Sequence, residues 1–301
     1  MAFTPAGQWA TGSAVTKATA KTFIPAIWSD EIIAAYEKSI VMKPLVKSIK
    51  MSGKKGDTIH IPMPTRSDAN AKVAEKQVTL IANTEGEKVI TIDEHWEFSK
   101  LIEDIVEKQA LSSLRSFYTS DAGYALARKV DSDLIAATDG WDHKIDSLGG
   151  NPGSSADPHV EGNALEFCDQ AFRDAIQLLD DADVPMENRK LVIPPSARNQ
   201  IMGIDRYVSS DFVNGRGVVN GKIGELYGVD IYTSTNLTAN ASGEKPCLLF
   251  HTDALVMAEQ MGIRTQTQYK QEYLADLMTA DTLYGFDVYR PECGVQIWVT
   301  G

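Results

Sequence analysis

The chain has 301 residues, 43% of them hydrophobic and 23% charged, and a formal net charge of -12. This is ordinary globular composition, enough for one large domain or two or three smaller lobes. No apolar run approaches the ~20 residues needed to span a bilayer, and the Ala- and Thr-rich start, Met1 to Ala20, has no apolar stretch of the secretory type.

Cys168, Cys247 and Cys293 are too scattered for a disulfide framework or a zinc site, and a reducing compartment is expected. The charge is uneven: Asp131 to Glu187 holds fourteen acids against Lys144 and Arg173, an excess equal to the whole net charge. Such a segment repels nucleic acid. It reads either as a solvated loop-and-helix surface or as the wall of a container that must not adhere to its DNA.

In chain order, Met1 to Lys21 has few large apolar residues and buries little alone. Phe23, Ile24, Ile27 and Trp28 follow, and either pack on their own domain or dock on a neighbour. Ser29 caps a short amphipathic helix through Ile32, Ile33, Tyr36 and Ile40. Lys50 to Phe98 reads as a long hairpin. One strand begins at Gly56 to Pro62, the return strand contains Val89 to Ile92 and runs on toward Phe98, and Pro62 and Pro64 mark an edge. Between the arms lies a polar stretch with one apolar patch, Val78 to Ala82. Arms of ~12 residues reach about 40 Å, and a polar hairpin of that length needs a partner surface.

A helix is predicted from Ser120 to Asp139, with Gly123, Ala127, Val130, Leu134 and Ala137 on one stripe and Gly140 ending it. After a Gly/Asp/Ser/Pro loop, Asn163 caps a second helix, faced by Leu165, Cys168, Ala171, Phe172, Ala175, Ile176 and Leu179. Leu191 to Ile193 is a buried strand, and Pro194 and Pro195 lead into a short helix. Asp205 to Gly224 is a glycine-rich loop. Strands follow at Val229 to Ser234 and Cys247 to Phe250, then a helix from about Asp253. Ile263 to Tyr269, Leu283 to Tyr289 and Val295 to Val299 alternate as strands.

Catalytic and metal-binding patterns are weak. The five histidines have no HExxH-type spacing, and the alternation of a strand sends Asp93, Glu94, His95 and Glu97 to opposite faces. Asp139, Asp142 and Asp146 lack the calcium-loop order. Gly215-Arg216-Gly217-Val218-Val219-Asn220-Gly221 neither follows a strand nor opens a helix, so it is no dinucleotide fingerprint. No cofactor, metal or catalytic residue is assigned.

The order of these elements resembles the tailed-phage major capsid family with its Hong Kong 97-like fold. Phe23 to Ile32 looks like the family's N-terminal arm and Gly56 to Glu97 its extended loop. Phe98 to Asp104 with the 120–139 helix looks like the peripheral domain and its spine helix. Pro185 to Pro195 and Ile223 to Tyr232 look like the axial domain, and Tyr284 to Glu292 the closing peripheral strands. The resemblance implies an α+β fold with boundaries at 1–50 (arm), 51–98 (extended loop), 99–160 (peripheral), 161–255 (axial) and 256–301 (closing strands). It implies a structural subunit of a shell enclosing double-stranded DNA, built from hexamers and pentamers in the bacterial host cytoplasm. Scaffolding and portal proteins, and a decoration protein, are partners it brings. Inter-subunit contacts are expected at Phe23, Ile24, Ile27, Trp28, Arg66, Lys72, Lys76, Val78, Leu80, Lys88 and Arg216. Some relatives join subunits by a Lys–Asn isopeptide bond with the asparagine in the closing segment. No asparagine follows Asn240 here, so an uncrosslinked shell is expected. An encapsulin-like compartment is the alternative within the fold, and a cytosolic enzyme or binding protein the alternative outside it.

Overall fold

The structure is a computed structural model and describes residues 41–51, 56–64, 69–75, 77, 78, 80, 85–103, 114–148, 159–204 and 224–301. Strands β1 (Lys47–Lys50), β2 (Thr58–Pro64), β3 (Glu85–Thr91) and β4 (Glu94–Glu103) precede helix α1 (Leu114–Ala137). Then come β5 (His143–Asp146), α2 (Asp169–Asp181), β6 (Arg189–Ile193), α3 (Pro195–Met202), β7 (Glu225–Leu226), β8 (Val229–Thr233) and β9 (Glu244–His251). The long strands β10 (Leu255–Lys270) and β11 (Ala275–Val288) and the final β12 (Gly294–Thr300) complete the order.

These strands form three sheets. A six-stranded mixed sheet has the order β5-β12-β9-β6-β8-β7, a four-stranded sheet the order β1-β10-β11-β4, and β2 pairs with β3 alone. The central strands β6 and β9 are buried almost throughout, because Leu191, Val192 and Ile193 and Cys247 to Phe250 lie under cover on both faces. Helix α2 lies on this sheet and presents Ala171, Phe172, Ala175 and Leu179, one stripe at helical spacing. Helix α1, about 36 Å long at 1.5 Å per residue, packs on β11, β4 and β10. One continuous apolar core joins Val41, Met42, Leu45 and Val46 to α1, α2 and the six-stranded sheet.

Several expectations are corrected. Residues Ile92 and Asp93 break the return strand; β3 stays with β2, while β4 turns away and pairs along its length with β11. Among the described residues the hairpin ladder runs over seven pairs, Thr58 to Pro64 against Thr91 to Glu85, roughly 23 Å. The buried stripe of α1 runs Ala122, Leu126, Val130, Leu134, with Gly123 and Ala127 half-buried beside it. Helix α2 starts at Asp169, not near Asn163. The Leu165 amide donates to Ser147 O (2.5 Å), Leu165 O accepts from Thr300 N (3.0 Å), and the Phe167 amide donates to Gln200 Oε1 (2.9 Å). With its backbone tied to neighbouring strands this segment cannot enter the helix. The Cys168 thiol caps α2 instead, accepting from Ala171 N at 3.4 Å. No helix follows Asp253; the chain turns there into β10. The six-stranded sheet draws β5 and β12 from outside residues 161–255. The short helix near Ile32 and the glycine-rich loop at 205–223 lie outside the described residues.

Candidate assembly surfaces

The hairpin has two unlike faces, because partners across an antiparallel ladder point the same way. On one face Ile59, Ile61 and Ile90 pack with Val256 and Ala258 of the four-stranded sheet and with Met51 and Ile92 in the connections to it, and Lys88 Nζ meets Asp287 at 2.9 Å. The other face carries His60, Pro62, Glu87, Val89 and Thr91, all exposed, with His60 Nδ1 3.1 Å from Glu87. In the hairpin's connecting segment Val73, Val78 and Leu80 are 56%, 63% and 90% exposed. Isolated exposed apolar residues are unremarkable, but here three fall along one short segment.

The four-stranded sheet is covered by α1 on one side and by the hairpin root over part of the other. Past the root that second face carries a polar row. Arg264 grips Asp281 with Nε at 2.8 Å and Nη2 at 2.9 Å, and His95 Nε2 lies 3.4 Å from the same carboxylate. The Arg264 hydrogen bonds hold the Asp281 carboxyl below its ordinary value. Beyond Glu259 the outer edge of β10 has no paired strand among the described residues. It carries register shifts between Glu259 and Met261 and between Met261 and Arg264. Bulges and a charged residue blunt such an edge against indiscriminate pairing. At the turn joining β10 to β11, Tyr273 and Leu274 are exposed, and Leu274 holds φ at +46°. A left-handed leucine is costly, so this turn holds backbone strain at a solvent-exposed tip.

Buried carboxylates fix these parts together. Asp131, fully buried on α1, accepts from Val41 N (3.0 Å), Met42 N (2.6 Å) and Asn236 Nδ2 (2.7 Å), which ties the start of the described chain to α1 and to the loop after β8. Asp133 accepts from the Tyr284 hydroxyl at 2.6 Å, and burial pushes that phenol far up. Asp146 holds His159 Nδ1 and Val160 N, and the His159 ring stacks on Trp298. Burial alone would raise the Glu244 carboxyl, but hydrogen bonds from Asn240, Ala164 N and Gly162 N outweigh it and hold it below its usual range. The acidity of 131–187 is therefore not one face: Asp131, Asp133 and Asp146 are inside, each with partners. Burial raises the Cys247 thiol and pushes Cys293 up to about 11, so neither is a nucleophile near neutrality. Among the described residues no three or more His, Cys, Asp or Glu gather as for a metal, and no helix is long and apolar enough to cross a membrane.

Of the residues singled out by sequence, Phe23, Ile24, Ile27, Trp28, Arg66, Lys76 and Arg216 lie outside the described residues. Val78 and Leu80 stand exposed, and Lys72 Nζ donates to Val73 O at 2.7 Å. Lys88 points toward its own sheet, where Asp287 holds it. Val73, His60, Val89, Tyr273 and Leu274 stand exposed as well and are not singled out by the sequence. Period-two pairing of the hairpin arms would have placed Val89 opposite His60 and away from Lys88, but only once the register was known.

The sequence pattern of the phage capsid protein family matches residues 42–299. The chain belongs to that family. It is a structural major capsid protein of tailed-phage type, with the Hong Kong 97-like fold and its place in the virion shell. Mycobacterium phage Che8 supplies a similar structure, 24% identical, with TM-score 0.74 over 91% of this chain and 97% of that one. The capsid of Cyanophage P-SCSP1u is 21% identical, with TM-score 0.79 over 99% of each chain. The capsid of a native GTA particle is 10% identical, with TM-score 0.68 over 97% of this chain and all of its own (100%). No curated protein matches the sequence. The encapsulin-like alternative gains no better support from these relatives.

Proposed function

We propose that copies of this chain form the hexamers and pentamers of an icosahedral shell around double-stranded DNA, and that the hairpin's connecting segment is a principal inter-subunit contact. The observation that carries this is the exposure of Val73, Val78 and Leu80 on a hairpin that, among the described residues, joins a core only at its root. We infer that this segment lies across a neighbour's four-stranded sheet, past that subunit's hairpin root. The six-stranded sheet with α2 and α3 serves as the axial domain, and the four-stranded sheet with α1 as the peripheral domain. Phe23, Ile24, Ile27, Trp28, Arg66, Lys72, Lys76 and Arg216 remain proposed contacts, and Lys88 serves the hairpin root. Scaffolding, portal and decoration proteins are the expected partners, and the host cytoplasm the place of assembly. Negative-stain microscopy of the purified chain tests the reading. Closed shells from wild type alone support the shell reading and count against a separate scaffolding protein, and the Val78→Ser/Leu80→Ser double variant is expected to give folded but dispersed subunits. Shells formed equally well by the double variant would remove the hairpin from the contact.

A further inference from the structure

The two arms of the hairpin come from opposite edges of the four-stranded sheet. β1 is one edge strand and leads into β2; β3 leads through Ile92 into β4, the other edge. To make that connection the chain crosses the face of the sheet over β11. A Cβ added to Gly285 would lie 3.0 Å from Ile92 Cα, 2.9 Å from the Thr91 carbonyl carbon and closer still to its oxygen. These are backbone atoms, which cannot swing aside as the end of a side chain does. Around the crossing, Ile92 N donates to Asp57 O at 2.8 Å, Gln260 Nε2 donates to Gly56 O at 2.9 Å, and Lys88 closes on Asp287. Ile90 is fully buried beside Val256 and Ala258.

We infer that Gly285 is a positioning residue for assembly: its missing side chain lets the hairpin root seat directly on β11, and the seating fixes the direction in which the hairpin leaves the subunit. Close approach of two backbones is the reason for glycine here, since its neighbours in β11 are ordinary strand residues. The root is fastened at both edges and at the crossing, so any bending of the hairpin falls beyond Ile61. The inference rests on the shell reading only for its consequence in assembly.

The full chain is the material for the test. Amide hydrogen exchange of dispersed subunits is followed at Ile92 in wild type, Gly285→Ala and Gly123→Ala, alongside thermal melts and the yield of closed shells. Gly123 lies in α1 with nothing within 4 Å of an added Cβ, and its variant is expected to match wild type. Gly285→Ala is expected to speed exchange at Ile92 by about tenfold or more through local opening, with a cooperative melt retained and few closed shells. Unchanged exchange at Ile92 overturns the inference whatever the shell yield. Fast exchange with a full yield of normal shells also overturns it, because the root would then not govern reach. If Gly285→Ala is insoluble, wild type decides: protection at Ile92 supports a seated root, and exchange near the rate of an unstructured chain overturns it. Wild-type chain that makes no shells, with Ile92 still exposed by Gly285→Ala, sinks the shell reading and leaves the crossing intact.

Discussion

Asp131 shows how much a single side chain can organise. Its carboxylate serves two backbone amides and the Asn236 side chain where all four groups are buried. Asp131→Ala strands three donors and is expected to cost about 3 kcal/mol in a urea melt, while Asp131→Asn, which still offers a carbonyl oxygen, costs roughly 1 kcal/mol. Equal melts for wild type and Asp131→Ala would show that the clamp contributes nothing. Two other groups contribute to the response to pH. The Glu244 carboxyl is lowered in the fold, so its contribution is present above the unfolded value of about 4.3 and is lost as pH falls through the folded one. Burial first, then Arg189, Lys190 and Arg290 against the opposing pull of Asp253, lowers His251, whose Nδ1 accepts from Asp253 N at 3.2 Å. Protonating it costs stability as pH drops below about 6.5. Both act in one direction, toward acid lability. Glu244→Gln should shrink the gap between melts at neutral and acid pH; an unaltered gap would discount Glu244.

At the scale of elements, legibility followed local pattern. The buried strand at Leu191 to Ile193 and the stripe Ala171, Phe172, Ala175, Leu179 were visible because burial on both faces or on one helical face leaves a direct mark in sequence. The start of α2 was not visible. Asn163 has the chemistry of a cap, yet hydrogen bonds to Ser147, Gln200 and Thr300, remote in sequence, hold that segment extended. The start of β10 reads as a helix in sequence because its first half is continuously buried and shows no alternation, while its exposed second half, Ile263 to Tyr269, reads as a strand, with bulges between. In α1 the decisive stripe falls on Ala122, Leu126, Val130 and Leu134. Leu134→Ala, at a fully buried position, is expected to destabilise the subunit by about 3 kcal/mol. A loss below about 1 kcal/mol would mean that the helix is held by something other than this stripe.

For the whole molecule, the architecture was legible from the order of elements and the assignment of sheets was not. β5 and β12 join the six-stranded sheet through pairings between distant parts of the chain, and such pairings leave no local signature. The exposure of Val78 and Leu80 was legible, because an apolar residue in a polar stretch has no core to enter. The direction of Lys88 was not, because it depends on register. The absence of asparagine after Asn240 carries its own prediction. Intact particles boiled in reducing detergent are expected to run as a single monomer band, and a ladder of multimers would refute an uncrosslinked shell. Without such bonds, cohesion of a shell rests on many reversible contacts in a closed array. The double attachment of the hairpin then acquires a mechanical meaning. Under the proposed contact, a neighbour pulling on its far end would draw on β1 and β4 together, so the tension would be divided between the two margins of one sheet. The ladders of β1 with β10 and of β4 with β11 would both have to yield before the hairpin came free. A flap hung from a single strand would peel away one bond at a time.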